Sequence, residues 1–364
     1  MKTKLKILFG LDQLNVGGKE KRALSLLENL DYKNYEKLVI NFGSKNDQLY
    51  NLYKENSSKI IICNRKFKWD ITIFFKLGKL IKIYKPDLII SFDWMSAFYL
   101  RRISSIFNIP FVNASITGAT KKKSIRKIIK SHDLKNSKYV ISNSLAGLKS
   151  YNLVKSNYNV VIYNGINISR ALESTKKENK CIELGVVGNL TETRNHILIL
   201  RSLLHLIRKK YNTKLTIVGD GPNKSSLILL AKKLNLSKHI AFLGHVKNVD
   251  ITIQKFDICL HASYFSTGEG FSNTIMEYML QSKPVVSTHF GGTKELLTNE
   301  EGAFLVSDEE KEYSRAIEKL IVNRDLRKKM GKFNFEYIKS NLTIDKMVVK
   351  YDSFFNSVLS TNND

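Results

Sequence analysis

Cysteine is scarce in this chain. Its 364 residues hold three, Cys63, Cys181 and Cys259, scattered and never spaced as C-x-x-C. A disulfide framework and a cysteine metal cluster are therefore not what organises it, and a reducing compartment fits. Long apolar runs are missing too. No segment approaches the ~18 uncharged apolar residues that a membrane-spanning helix needs. The opening "MKTKLKILFGLDQL" superficially suggests a signal peptide. Its apolar core is only about five residues, with Asp12 following, so a first β-strand is the better reading. The expected location is the cytoplasm, in solution or peripherally on the inner face of the cell membrane. There is no short-period repeat and no low-complexity tract. Acidic side chains are the last shortage: 33 against 59 basic ones, a net charge of +26. Such an excess attracts polyanions, whether nucleic acid, anionic lipid or nucleotide phosphate, unless the lysines are merely solvated surface. No nucleic-acid-binding motif is visible, so nucleic acid is not an expected partner.

What is present is a folded composition, 43% hydrophobic and 10% aromatic, in a chain too long for one ordinary core. Short apolar strands alternate with helical sequence. "KLKILFGL" runs into Gly17-Gly18 and then "KEKRALSLLENL", whose leucines recur at helical spacing. "KLVINF", "KIIIC", "PDLIISF", "IPFVNAS" and "YVISNS" continue the βαβ rhythm of a parallel sheet. The rhythm pauses over the polar stretch 161–180. It restarts with "IELGVVGNL", "KLTIVGDG", "IAFLGHV", "FDICLHAS" and "KPVVST". Two doubly wound, Rossmann-like α/β domains follow, 1–168 and 169–342, with 343–364 as a closing helix that puts Met347, Val348, Tyr351, Phe354, Phe355 and Val358 on one face. Ligands of such sheets lie at the carboxyl ends of strands, and a cleft between two such domains is the default site.

Glycine-rich signatures nearly match and fail. "GDGPNKS" has Lys224 where a dinucleotide fingerprint needs its third glycine, and it lacks the glycine before that lysine that a P-loop needs. Glycine turns after strands remain, at Gly17-Gly18, Gly188 and Gly219-Asp220-Gly221, and the helices after them offer free N–H groups to phosphates.

The informative stretch is "GEGFSNTIMEYMLQSKPVVSTHFGGTKEL", which holds Glu269 and Glu277. Thr274-x-x-Glu277 fits a capping box, in which Glu277 would serve only a helix start and Glu269 would be an ordinary loop acid. Alternatively Glu269 sits at a strand-to-helix crossing and accepts hydrogen bonds from sugar hydroxyls. Glu277, on the helix, would then hold a ribose, and the amides of Phe271, Ser272 and Asn273 would face phosphates.

This segment resembles the E-x-x-x-x-x-x-x-E signature of the family four retaining glycosyltransferases, of GT-B fold: two doubly wound Rossmann-like domains facing across a cleft. "NVGGKEKRALSLLENL", "VIYNGINI", "GVVGNLTETRNHILILRSL", "LTIVGDGPNKSSL" and "IAFLGHVKNV" resemble other parts of that family in its order. The resemblance implies a catalytic role for Glu269, at the transferred sugar, and a ribose contact for Glu277. It implies an acceptor-binding first domain, whose Gly17 and Gly18 bring amides to the donor's phosphates, and a donor-binding second domain. Gly244, His245 and Val246 would border the base. Arg194 stands at the place of the family's phosphate-binding lysine, and Asn189 at that of its arginine. Where many members have a histidine after the fifth strand, this chain has Thr117 and Gly118; His132 reads as structural or solvent-facing. No D-x-D pair is placed to bridge a diphosphate, so neither metal nor cofactor is expected beyond the nucleotide-sugar co-substrate. The activity implied is transfer of a hexose from a UDP-linked donor to a saccharide or lipid-linked acceptor, as in lipopolysaccharide or capsule assembly. A sugar-nucleotide epimerase of the same fold, or a binding protein that has lost the chemistry, is the alternative.

Two segments of the first half concentrate the basic excess. "ATKKKSIRKIIKSHDLKNSK" carries Lys121, Lys122, Lys123, Arg126 and Lys127 beside Ile125, Ile128 and Ile129; "RKFKWDITIFFKLGKLIKIYK" interleaves lysines with Trp69, Phe74, Phe75 and Tyr84. Basic amphipathic helices suit an anionic membrane surface.

Overall fold

The computed structural model describes residues 4–67, 69–118, 125–173, 181–265, 268–297 and 301–361, and of Arg126 only the backbone. The chain divides into two compact units. Among the described residues, unit 1 comprises 4–118, 125–165 and 344–361, and unit 2 comprises 166–343.

Unit 1 is built on a sheet of β1 (Leu5–Leu11), β2 (Tyr35–Asn41), β3 (Lys59–Ile62), β4 (Leu88–Ser91), β5 (Phe111–Ile116), β6 (Tyr139–Ser142) and β7 (Asn159–Val161). Its strand order is β3-β2-β1-β4-β5-β6-β7, and every pairing is parallel. The central strands are apolar nearly throughout because helices cover both faces. On one face pack the helix Gly18–Asn29 and the terminal helix Ile344–Ser360, whose Met347, Tyr351, Phe355 and Val358 are buried with Phe9, Leu27 and Phe92. On the other pack the helices Thr72–Tyr84 and Trp94–Ile106. Each such buried side chain contributes ~1.5–3 kcal/mol of apolar transfer. The last helix of the chain is thus a structural part of unit 1.

Unit 2 repeats the plan with β8 (Ile182–Val187), β9 (Thr213–Val218), β10 (Ile240–Gly244), β11 (Ile258–His261), β12 (Val285–Thr288) and β13 (Ala303–Val306). The order is β10-β9-β8-β11-β12-β13, again all parallel. In each sheet the winding reverses once, between β1 and β4 and between β8 and β11. The loops leaving those two strand pairs diverge, and the gap they open at the carboxyl ends is where doubly wound sheets bind ligands. Both gaps are lined with charge.

The strands read from sequence all form. Two short ones, β7 and β13, were not anticipated, and both are sheet edges. Among the described residues no helix is long and apolar enough to cross a membrane.

Candidate active site

Unit 2 holds the denser cluster, at the gap between β8 and β11. Glu269 lies in the loop between β11 and the helix Asn273–Leu280. Its Oε2 accepts hydrogen bonds from Arg194 Nη1 and from Ser263 Oγ at 3.2 Å, and lies 2.7 Å from His261 Nε2. His261 ends β11, and its Nδ1 is 3.1 Å from Ser287 Oγ on β12. That contact leaves Nε2 to face the carboxylate. Arg194 comes from the loop after β8, anchored by Asn195, whose Oδ1 caps the following helix by accepting from Leu198 N at 3.1 Å. Burial pulls the Glu269 carboxyl upward, but the charges of Arg194 and His261 and their hydrogen bonds outweigh it and hold the group well below the ordinary carboxylate range. Glu269 is therefore a fixed anion. His196, beside Arg194 in sequence, is lowered too, to about 4, by burial and by the charges of Arg194 and His261, which leaves it neutral.

The backbone of Glu269 is fixed as firmly as its side chain. Gly292 N–H donates to Glu269 O at 2.8 Å. Gly291 has φ +63°, and a Cβ built there would lie 2.1 Å from the same oxygen. The Gly-Gly pair is what lets the two loops touch.

The helix Asn273–Leu280 starts beside this cluster with Ser272 as its N-cap and no side-chain cap bond. Ser272 is buried, and its Oγ has no hydrogen-bond partner among the described residues. Phe271 is buried and Asn273 half-buried. The capping-box alternative is overturned: Thr274 lies inside the helix, so Glu277 cannot be its N3 partner. Glu277 instead points from mid-helix to Arg170, whose Nη2 donates to Oε1 at 3.2 Å.

Gly244 ends β10 with φ +67°, and its carbonyl accepts from Gly219 N at 2.8 Å. Gly188 N in turn donates to Val218 O at 2.9 Å, so glycine turns line the strand ends from β10 to β8. His245 is exposed, Val246 half-buried and Asn189 exposed on the same loops. Unit 2 thus brings Glu269, Arg194 and the opening of the helix at Asn273 together, and carries Glu277 on that helix. Gly17 and Gly18 belong to unit 1. Gly17 is the N-cap of the helix Gly18–Asn29, next to the gap between β1 and β4. There Lys19 pairs with Asp93, and Asp12 N–H donates to Asp93 Oδ2 at 3.0 Å. Burial and then Asp93 raise the Asp12 carboxyl to about 6. Thr117, just past β5, is exposed, Gly118 half-buried, and His132 exposed beside Asn136.

Sequence reasoning missed His261, Ser263, Arg170 and Asp250. His261 carried one signal, a polar residue closing the apolar strand "DICLH".

Two doubly wound parallel sheets, each with its charged cluster at the switch point, are the architecture of the GT-B fold. More narrowly, residues 167–336, most of unit 2, match the model of the family described as glycosyl transferases group 1. A Campylobacter jejuni relative, N-acetylgalactosamine-N,N'-diacetylbacillosaminyl-diphospho-undecaprenol 4-alpha-N-acetylgalactosaminyltransferase, is 33% identical over 174 residues, 46% of each chain. The N-acetyl-alpha-D-glucosaminyl L-malate synthase of Bacillus anthracis is 26% identical over 230 residues, 60% of this chain and 59% of that one. The chain thus spans about half the length of these curated relatives. The crystal structure of HepE from Anabaena with UDP and glucose superposes with a TM-score of 0.83 over 97% of this chain and 100% of that one. At 18% identity that likeness shows the fold.

Proposed function

We propose that this protein transfers a hexose, with retention of configuration, from a UDP-linked donor to a saccharide or lipid-linked acceptor in bacterial surface-glycan assembly. The observation that carries the reading is Glu269, a half-buried anion bonded to Arg194 and facing His261, next to an uncapped helix start whose Ser272 hydroxyl has no partner among the described residues. The helix dipole and those N–H groups suit a diphosphate. Arg194 bridges toward it, and Glu277 is on the helix for the ribose. In the reaction the bond from the anomeric carbon to the diphosphate oxygen breaks with its electron pair going to the nucleotide. The acceptor oxygen bonds to that carbon on the same face and gives its proton to the departing phosphate. As positive charge grows on the ring, the Glu269 carboxylate stabilises it. The glycosyl-transfer activity of the Campylobacter relative supports sugar transfer, the UDP and glucose bound by HepE support a uridine nucleotide, and the E-x-x-x-x-x-x-x-E resemblance supports a retained bond.

Neutralisation of the diphosphate by Arg194 and a helix terminus requires no metal. Labelled UDP-hexoses incubated with an undecaprenyl-linked saccharide should give product at the same rate with and without EDTA, and the new linkage should keep the donor's anomeric configuration by NMR. Activity lost in EDTA and restored by magnesium or manganese would refute the metal-free account, and an inverted product the retaining one. Asn189, exposed and uncharged where the family has an arginine, favours the non-catalytic alternative; binding of UDP-hexose without transfer or hydrolysis would establish it.

A lipid-linked acceptor suits a protein that sits on a membrane. The helix Thr72–Tyr84 buries Ile73, Leu77 and Ile81 and turns Phe75 and Ile83 outward, 73% and 74% exposed, with Lys76, Lys79 and Lys82 among them. Phe74 and Tyr84, which the sequence suggested for this face, pack inward instead. Lys121, Lys122 and Lys123 of the other basic segment lie outside the described residues. Each lysine near anionic lipid is worth ~1 kcal/mol. Replacing Lys76, Lys79 and Lys82 with Gln should therefore weaken sedimentation with phosphatidylglycerol vesicles by about 100-fold. Unchanged sedimentation would make these lysines plain solvated surface.

A further inference from the structure

We infer that Arg170 is a positioning residue for Glu277: it fixes the carboxylate that receives the donor's ribose, and so sets nucleotide affinity without touching the nucleotide. The inference rests on the donor site proposed above. Arg170 ends the short 3-10 turn Ile168–Arg170, in the polar stretch where unit 2 begins. Its guanidinium forks onto Asp250 of the helix Val249–Gln254, Nε to Oδ2 at 3.0 Å and Nη2 to Oδ1 at 3.1 Å. The same Nη2 reaches Glu277 Oε1 at 3.2 Å. One cation thus holds two acids from two helices.

The guanidinium has little freedom of its own, because its backbone is stitched down. Gln281 Nε2 donates to Arg170 O at 2.9 Å, Leu172 N donates to Gln281 Oε1 at 3.0 Å, and Gln254 Nε2 donates to Leu172 O at 2.9 Å. Glu277 and Gln281 lie one turn apart, so the same side of the helix carries both the ribose carboxylate and the clasp. Only Oε1 of Glu277 is engaged; Oε2 has no hydrogen-bond partner among the described residues. A ribose hydroxyl can donate to Oε2 while Arg170 keeps the carboxylate in one rotamer. Without that hold, ordering a flexible glutamate falls to the binding step, which costs up to about tenfold in affinity. The planar fork matters, since a lysine offers a point charge and cannot grip Asp250 with two bonds.

The test is calorimetry with UDP on the full chain, with unliganded melting temperature as a folding control, and steady-state kinetics beside it. Arg170→Gln should lower UDP affinity about tenfold and raise donor KM alike, with kcat unchanged, as loss of uniform binding does. Arg170→Lys should recover only part. In a Glu277→Gln background the Arg170→Gln change should cost little further, because Arg170 acts through that carboxylate. If Arg170→Gln does not fold, Asp250→Asn loosens the same guanidinium and should give a similar loss. Parental UDP affinity in these variants overturns the inference. So does an Arg170→Gln penalty that persists in full without Glu277, which would mean direct contact or general structure. A parent chain that binds no UDP fails earlier and overturns the donor-site reading itself.

Discussion

Glu269→Gln is expected to lower the turnover of sugar transfer by ~10²–10³, with donor KM nearly unchanged. The amide keeps the shape and can still accept from Ser263, but it cannot supply a charge. The parent carboxylate is anionic at any pH above the ordinary glutamate range, because burial, which opposes ionisation, is outweighed by Arg194 and His261. It is thus already in place when the sugar ring gains positive charge, and it helps the transition state more than the bound donor. Since the folded group titrates below its usual value, lowering pH from 7 to 5 should not mimic the variant. Steady-state kinetics with the melting temperature as control decides this. Parental turnover in Glu269→Gln would show that the loop carboxylate has no part in transfer.

The second large effect is expected at a residue with no side chain. Gly291→Ala should cost about 100-fold in turnover and lower the melting temperature. A left-handed backbone in a residue with a Cβ costs ~1–2 kcal/mol. The new Cβ would also lie 2.1 Å from Glu269 O, so one of the two loops must move. That oxygen holds Gly292 N–H, and shifting it carries the carboxylate away from Arg194 and His261. A displacement of ~1 Å at a reacting group can cost ~10² in rate. Gly78 is the contrast: it lies within the helix Thr72–Tyr84, the nearest atom to a Cβ there is 3.9 Å away, and alanine should stabilise by up to ~1 kcal/mol. A Gly291→Ala enzyme with parental turnover and melting temperature would mean that the loops have slack the structure does not show.

The parallel sheets were legible because central strands buried on both faces must be written as unbroken apolar runs. β7 and β13 escaped because an edge strand of three or four residues needs no such run. Glu269 and Arg194 were legible as members of one spaced pattern. His261 and Ser263 were not, since they meet Glu269 only through the registers of β11 and β12. Arg170 lay in a charged stretch that read as a pause between domains. Nothing local tells that its partners, Asp250 and Glu277, lie on helices far along the chain. The capping box shows the converse error: the right residue types at the right spacing, set inside a helix that begins one residue earlier.

The route of the chain has a consequence for its birth. Residues 166–343 form unit 2 without interruption, whereas unit 1 needs Met347, Tyr351, Phe355 and Val358, which are synthesised after all of unit 2. Domains ordinarily mature in the order in which they leave the ribosome. Here that order is reversed. The face of unit 1 that carries Phe9, Leu27 and Phe92 stays without its cover while unit 2 is being made, and it is during that interval that the nascent protein is most exposed to chaperones and to mispairing with its neighbours.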